Sequence, residues 1–150
     1  MKDNHFSCVL SFDGYARELA IPVSIGCRCG DCKRCGLPER NCRAIFDTGA
    51  TSSMISSDIA QELQLIPTGV ANISGVHGTQ ETNLYVVNLI FQNGFVIPRI
   101  TVSEAGPDGG FELLIGMDII SRGMLIITCI NGKNLFLFSY PSICSTSCNV

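Results

Sequence analysis

The stretch CRAIFDTGATSSMIS, residues 42–56, places an acidic residue where an apolar run meets a turn. Ala44, Ile45 and Phe46 form a short β-capable segment, Asp47-Thr48-Gly49-Ala50 breaks it, and a Ser-rich turn follows. Two readings of Asp47 are open at this point. Asp-Thr-Gly is an ordinary turn composition, in which a short polar side chain bonds nearby backbone and glycine relieves the bend. The same residues also suit a carboxylate that works as acid or base. A lone carboxylate is a poor base near neutral pH, because its ordinary pKa is ~4. Two carboxylates sharing one proton overcome this: their charges cannot both be held at contact distance, so one stays protonated while its partner acts as base on a water. Such a pair needs a tight turn whose N–H groups fix the carboxylate plane. Gly49 permits that approach, Thr48 offers a hydroxyl to tie the turn down, and residues 44–46 would bury its base.

Outward from this turn the chain reads as short strands separated by turn signals. HFSCVLSF (5–12) and ELAIPVSIG (18–26) are β-rich runs flanking Asp13-Gly14. SSDIAQELQL (56–65) is a helix that Ser56 or Ser57 can cap; Asp58 favours its positive end, and Pro67 lies just beyond it. ANISGVHGTQETNLYVVNLIF (71–91) reads as a long hairpin with a Gly-containing tip. Asn93-Gly94 turns the chain into FVIPRITVSE (95–104), where Pro98 suggests an edge strand or a bulge. FELLIGMDIISRG (111–123) gives a buried strand, a Gly turn and a short helix that Asp118 could cap, and MLIITCINGKNLFLFS (124–139) is a hairpin across Asn131-Gly132. The expectation is a single all-β, barrel-like domain over residues 1–150 with two short helices and a tail at 141–150. AIFDTGATSSMIS and ELLIGMDIISRG echo one another: apolar strand, Gly turn, helix.

Composition narrows the classes. A chain of 150 residues that is 46% apolar and 15% charged can bury a core, so disorder is not expected over most of its length. No apolar run approaches the ~18 residues that span a bilayer, and the polar start lacks the apolar segment of a secretory signal. These features read as a cytoplasmic protein with no membrane partner. The net charge of −3 argues against a general nucleic-acid binder.

The ordered combination of IFDTGA, a Ser-rich turn with its helix, a Gly-tipped hairpin and ELLIGMD resembles the retropepsin-like aspartic peptidases over roughly residues 17–140. That resemblance implies a closed retropepsin fold with Asp47 as the catalytic aspartate. Thr48, Gly49 and Ala50 would support the active-site loop, with Leu114, Ile115 and Gly116 as the strand and turn packed beside it. Ser74, Gly75, Val76, His77 and Gly78 would be the flap over a bound peptide. It also implies acid–base hydrolysis of peptide bonds with no catalytic cofactor. No other aspartate is followed by Thr-Gly or Ser-Gly, and the chain is about half the length a two-lobed protease needs. The simplest solution is a twofold homodimer that brings Asp47 to Asp47 of a second copy. The alternative is a dimeric peptide-binding module with weak or absent hydrolysis.

The segment CRCGDCKRCGLPERNC (27–42) departs from that family, which has a short hairpin loop here. Overlapping Cys29/Cys32 and Cys32/Cys35 pairs with Cys42 can grip a tetrahedral ion, with Cys27 spare or replacing Cys29, which suggests a structural zinc loop. Nearby Arg28, Lys33, Arg34, Arg40 and Arg43 would offset the thiolate charge. A third function, contact of this loop with RNA or a partner protein, has only those basic residues behind it.

Overall fold

Alternation of apolar and polar side chains builds the strands that carry the site. In the computed structural model, which describes residues 6–26, 39–75, 78–106 and 109–141, Ile21, Val23 and Ile25 of β2 (Ala20–Gly26) are buried while Pro22 between them is exposed. β3 (Arg40–Phe46) keeps the same period of two, burying Cys42, Ala44 and Phe46. The chain opens with β1 (Phe6–Asp13) and continues past β3 through β4 (Met54–Ser56), α1 (Ser57–Glu62), β5 (Gly69–Gly75), β6 (Gly78–Phe91) and β7 (Val96–Ala105). β8 (Leu113–Ile115), α2 (Met117–Ile120), β9 (Met124–Ile130) and β10 (Lys133–Tyr140) complete it.

Six strands close on themselves. β2, β3, β8, β4, β7 and β6 are neighbours in that order, and β6 returns to pair with β2. The long β6 makes closure possible: its first half pairs with β5, and its second half pairs with β7 and β2. A separate antiparallel sheet runs β1–β10–β9. Aromatic rings join the two sheets, with Phe6 stacked on Phe91 at 4.1 Å and Phe46 against Phe138 and Phe136 at 4.8 and 5.2 Å between centroids. Each such pair adds about 0.5–1.5 kcal/mol beyond the area it buries.

The barrel, both helices and the hairpins at Asn93-Gly94 and Asn131-Gly132 follow the sequence reading. At the latter, φ values of +50° and +75° suit Asn and Gly in a tight turn. Other details differ. Asp13-Gly14 makes no hairpin, because β1 pairs with β10 and the chain crosses from one sheet to the other. Pro98 lies on β7, an interior strand between β4 and β6, so of the two options it marks the bulge. Val87 faces Ile100 and Leu89 faces Ile97, leaving Asn88 opposite Pro98 and Arg99. Arg99 takes a φ of +55° there, and its N–H donates to Asn88 Oδ1 at 2.8 Å. Helix α1 stops at Glu62 rather than residue 65, because Gln64 turns left-handed and the Leu65 N–H donates back to Ala60 O at 2.9 Å.

Strand β3 reaches back into the end of the Cys-rich segment. Strand β3 already runs at Arg40, paired with Ile25, so residues 40–42 belong to the barrel. Cys27, Cys29, Cys32 and Cys35 lie outside the described residues, as do Val76, His77 and all of the tail but Pro141.

Candidate functional site

Two parallel strands bring two turns side by side. Ala44, Ile45 and Phe46 of β3 run beside Leu113, Leu114 and Ile115 of β8, so the chain leaves both strands at the same level. Asp47 and Gly116 are therefore neighbours, and the Asp47 N–H donates to Ile115 O at 2.9 Å. The Asp47 Oδ1 in turn accepts the Gly49 N–H at 2.8 Å, and Ala50 N–H donates to Asp47 O at 3.3 Å. This is a local side-chain turn of the kind Asp adopts readily. A Cβ on Gly49 would lie 3.1 Å from Asp47 Oδ1, so glycine leaves the carboxylate its place. Asp47 is half-buried; Thr48 is exposed on the turn and Ala50 half-buried.

The second turn is locked against the first. Met117 N–H donates to Ala50 O at 2.8 Å and Asp118 N–H to Thr51 O at 3.2 Å. Any side chain at 116 would strike backbone, since a Cβ there would sit 2.6 Å from Ser52 C. Asp118 does not cap α2 as expected: the cap position is Gly116, and Asp118 lies in the first turn. Its Oδ1 accepts Ser53 Oγ–H at 2.8 Å and Ile119 N–H at 3.0 Å, while Oδ2 accepts Ser53 N–H at 3.1 Å. Fully buried Ser53 also accepts the Gly116 N–H on its Oγ at 3.0 Å and, on its O, the Ser103 N–H at 3.1 Å. Half-buried Asp118 thus acts as a clamp, its carboxylate tied to fully buried Ser53 and to the Ile119 N–H. No local sequence signal marks Ser53 as its partner, since the two are 65 residues apart.

Asp47 borders a cavity of about 400 Å³ with Arg17, Glu18, Phe46, Ile127 and Phe136 among its walls. Ile127 comes from β9, which sits at the edge of its sheet and exposes Ile126, Ile127 and Ile130. A larger cavity of about 720 Å³ lies between the β5–β6 hairpin and the segment around residues 105–111. The hairpin is zipped up to its tip, where Ser74 faces Thr79 with their hydroxyls 3.0 Å apart and Gly75 faces Gly78.

Cys42 is placed differently from its expected role as a metal ligand on a loop. It is 5% exposed and packs in the core from the middle of β3. Burial pushes its thiol up to about 12, with Glu112 adding to the rise and Arg40 opposing it. The two basic residues described near it are also committed elsewhere. Arg40 pairs with Glu62 at 2.9 Å and Glu112 at 3.1 Å, joining β3 to α1, and Arg43 pairs with Glu18 at 2.6 Å. The insert enters β3 at its far end, about 23 Å of strand from Asp47 at ~3.3 Å per residue. Among the described residues no group of three or more His, Cys, Asp or Glu is disposed to hold a metal ion, and no helix is long and apolar enough to cross a membrane.

Comparison with known proteins extends the geometry. A family model described as "Aspartyl protease" matches residues 33–119, which include both turns and the hairpin. The fold is similar to a retropepsin-like aspartic protease from Rickettsia conorii, with a TM-score of 0.58 at 13% identity over 93% of this chain and 97% of that one. It is also similar to the retroviral protease-like domain of Ddi1 from Leishmania major, with a TM-score of 0.52 at 17% identity over 81% and 94% of the two chains. No curated protein matches the chain.

Proposed function

Because the chain belongs to the aspartyl protease family, we propose that it is an endopeptidase whose active site forms between Asp47 of two copies. The observation that carries this reading is the contrast at the paired turns. Among the described residues the Asp47 carboxylate accepts one hydrogen bond, from Gly49 N–H, and borders a cavity, whereas the neighbouring Asp118 carboxylate is consumed by Ser53 and Ile119. At the paired turns one chain therefore offers one available carboxylate among the described residues, Glu18 in the cavity wall being paired with Arg43, and the second would come from a second copy. The edge strand β9 supports that arrangement, since its exposed isoleucines would be covered by a second copy and Ile127 shares a cavity with Asp47.

The chemistry follows from two carboxylates that share one proton. The ionised Asp47 takes a proton from a water as the oxygen attacks the scissile carbonyl carbon, and the protonated Asp47 donates its proton to the carbonyl oxygen. The tetrahedral species then collapses: the Asp47 that took the water proton gives it to the leaving nitrogen as the C–N bond breaks, the other Asp47 takes a proton from a hydroxyl of the tetrahedral species as the carboxylic acid forms, and the dyad again holds one shared proton. Gly49 N–H and the Asp47–Ile115 bond hold the carboxylate in place, with Thr48 and Ala50 on the same turn and Leu114, Ile115 and Gly116 beneath it. The β5–β6 hairpin, including Ser74, Gly75, Val76, His77 and Gly78, would close over an extended peptide. For the Cys-rich insert, a structural zinc would draw on Cys29, Cys32 and Cys35 by their spacing, with Cys27 as fourth ligand in place of Cys42, which packs in the core.

Subunit mixing tests the shared site. Added Asp47→Asn protein should suppress wild-type peptide cleavage in proportion to the mixed dimers formed, and sedimentation should report a dimer. A strict monomer that cleaves peptides, unaffected by the variant, would refute the reading.

A further inference from the structure

The larger cavity carries a chemical signature of its own. Its apolar wall includes Met54, Ile73 and Phe111. Its charged lining consists of two carboxylates, half-buried Glu104 and exposed Glu81, and among the described residues no Lys or Arg lines it. Glu104 stands at the end of β7 and is aimed by two side chains of β6. Its Oε2 accepts Tyr85 O–H at 2.7 Å and Asn83 Nδ2–H at 2.9 Å, and its backbone oxygen accepts Thr82 Oγ1–H at 2.6 Å. A glutamine would satisfy Tyr85 equally well if joining β6 to β7 were the whole purpose. A carboxylate set partly out of water with neutral donors on one oxygen, and no Lys or Arg among the described residues lining its cavity, carries a desolvation cost that an incoming cation would recover.

We propose that this cavity is a substrate subsite in which Glu104 selects a lysine or arginine side chain of an extended peptide; this rests on reading the chain as a peptide-cleaving enzyme. The geometry suits a long basic side chain. Its methylene stem lies along Met54, Ile73 and Phe111, and its charged end meets the carboxylate that Tyr85 and Asn83 hold. The peptide main chain runs beside β5, which among the described residues pairs with β6 alone and ends its sheet. Glu81, exposed at the rim, adds attraction of the same sign.

The test separates binding from hydrolysis by using Asp47→Asn protein. Fluorescent decapeptides of neutral, apolar composition carry one lysine moved through successive positions, each compared with its norleucine counterpart. At one position lysine should bind about tenfold more tightly than norleucine. Glu104→Gln, which keeps an oxygen for Tyr85, should abolish that preference while leaving norleucine peptides unchanged. Equal weakening of all peptides by Glu104→Gln, with a lowered Tm, would show a brace and overturn the proposal. So would the absence of a lysine preference at every position, even if the wild type cleaves peptides well. A lysine preference lost in Glu104→Gln would uphold the subsite even if the wild type proved unable to hydrolyse them.

Discussion

Asp47 and Asp118 follow parallel strands that lie side by side, and each stands close to a turn glycine and a short helix. Their environments diverge at the next level. Asp47 Oδ1 takes one hydrogen bond, from its own turn, and the carboxylate faces a cavity. Asp118 takes three, two of them from a serine that is itself fully buried. A carboxylate saturated with fixed donors is a structural clamp, because its lone pairs are spoken for and its charge is balanced by local dipoles. A carboxylate with open lone pairs can meet a water, a substrate or a second carboxylate. The same strand–turn–helix unit thus leaves one carboxylate open to a cavity and ties the other down, and the clamp holds the Asp47 turn in place.

That division can be broken from either side. The largest loss of stability should come from Gly116→Ala, which drives a Cβ to 2.6 Å from the Ser52 backbone and separates the two turns. The expected cost is about 3 kcal/mol, measured by denaturant unfolding at unchanged m-value. Asp118→Ala should cost somewhat less, about 2 kcal/mol, by leaving the buried Ser53 N–H and hydroxyl without their acceptor. Asp47→Asn, in contrast, should leave stability within about 0.5 kcal/mol. If Asp118→Ala proved neutral for folding but fatal for activity, the clamp and the reactive group would have been assigned the wrong way round.

A smaller effect lies one strand turn away from the comparison, at Cys42. Burial raises its thiol from an ordinary value near 9 to about 12. The folded protein therefore keeps that proton longer than the unfolded chain, so the contribution is complete below pH 9 and is lost as pH rises towards 12. Half-buried Cys8, also raised by burial, acts in the same direction. Cys42→Ala should flatten the alkaline fall in stability by about 1 kcal/mol at pH 10, read from urea unfolding over a pH series. The same variant bears on the insert: zinc content should survive Cys42→Ala and be lost in Cys32→Ser, as metal analysis would report.

How far these features were legible depends on whether they are local. The Asp47 turn, the Ser56 cap, the two Asn-Gly hairpins and the period-two strands are written in adjacent residues, and the sequence reading found them. Closure of the barrel by β6 on β2 depends on pairing Phe91 with Val23, and no local pattern announces that contact. Pairing of β1 with β10 is as remote, so the Asp13-Gly14 turn could be seen but not its direction. The role of Asp118 is not local, because a helix-capping carboxylate and one that accepts from a distant serine look identical in sequence. Glu104 was passed over for the same reason, since Tyr85 and Asn83 reach it from another strand. Arg40 and Arg43 appeared to balance thiolates because they are close in sequence to cysteines, yet Glu62, Glu112 and Glu18 claim them from other elements.

The most direct test of the central claim is cleavage of a peptide library over a pH series by wild type and by Asp47→Asn, at protein concentrations where both are dimeric. Two Asp47 carboxylates sharing a proton predict a bell-shaped, mildly acidic profile for the wild type. They also predict a fall of about a thousandfold or more in kcat/KM for the folded, dimeric variant. Cleavage by Asp47→Asn at the wild-type rate would contradict the account.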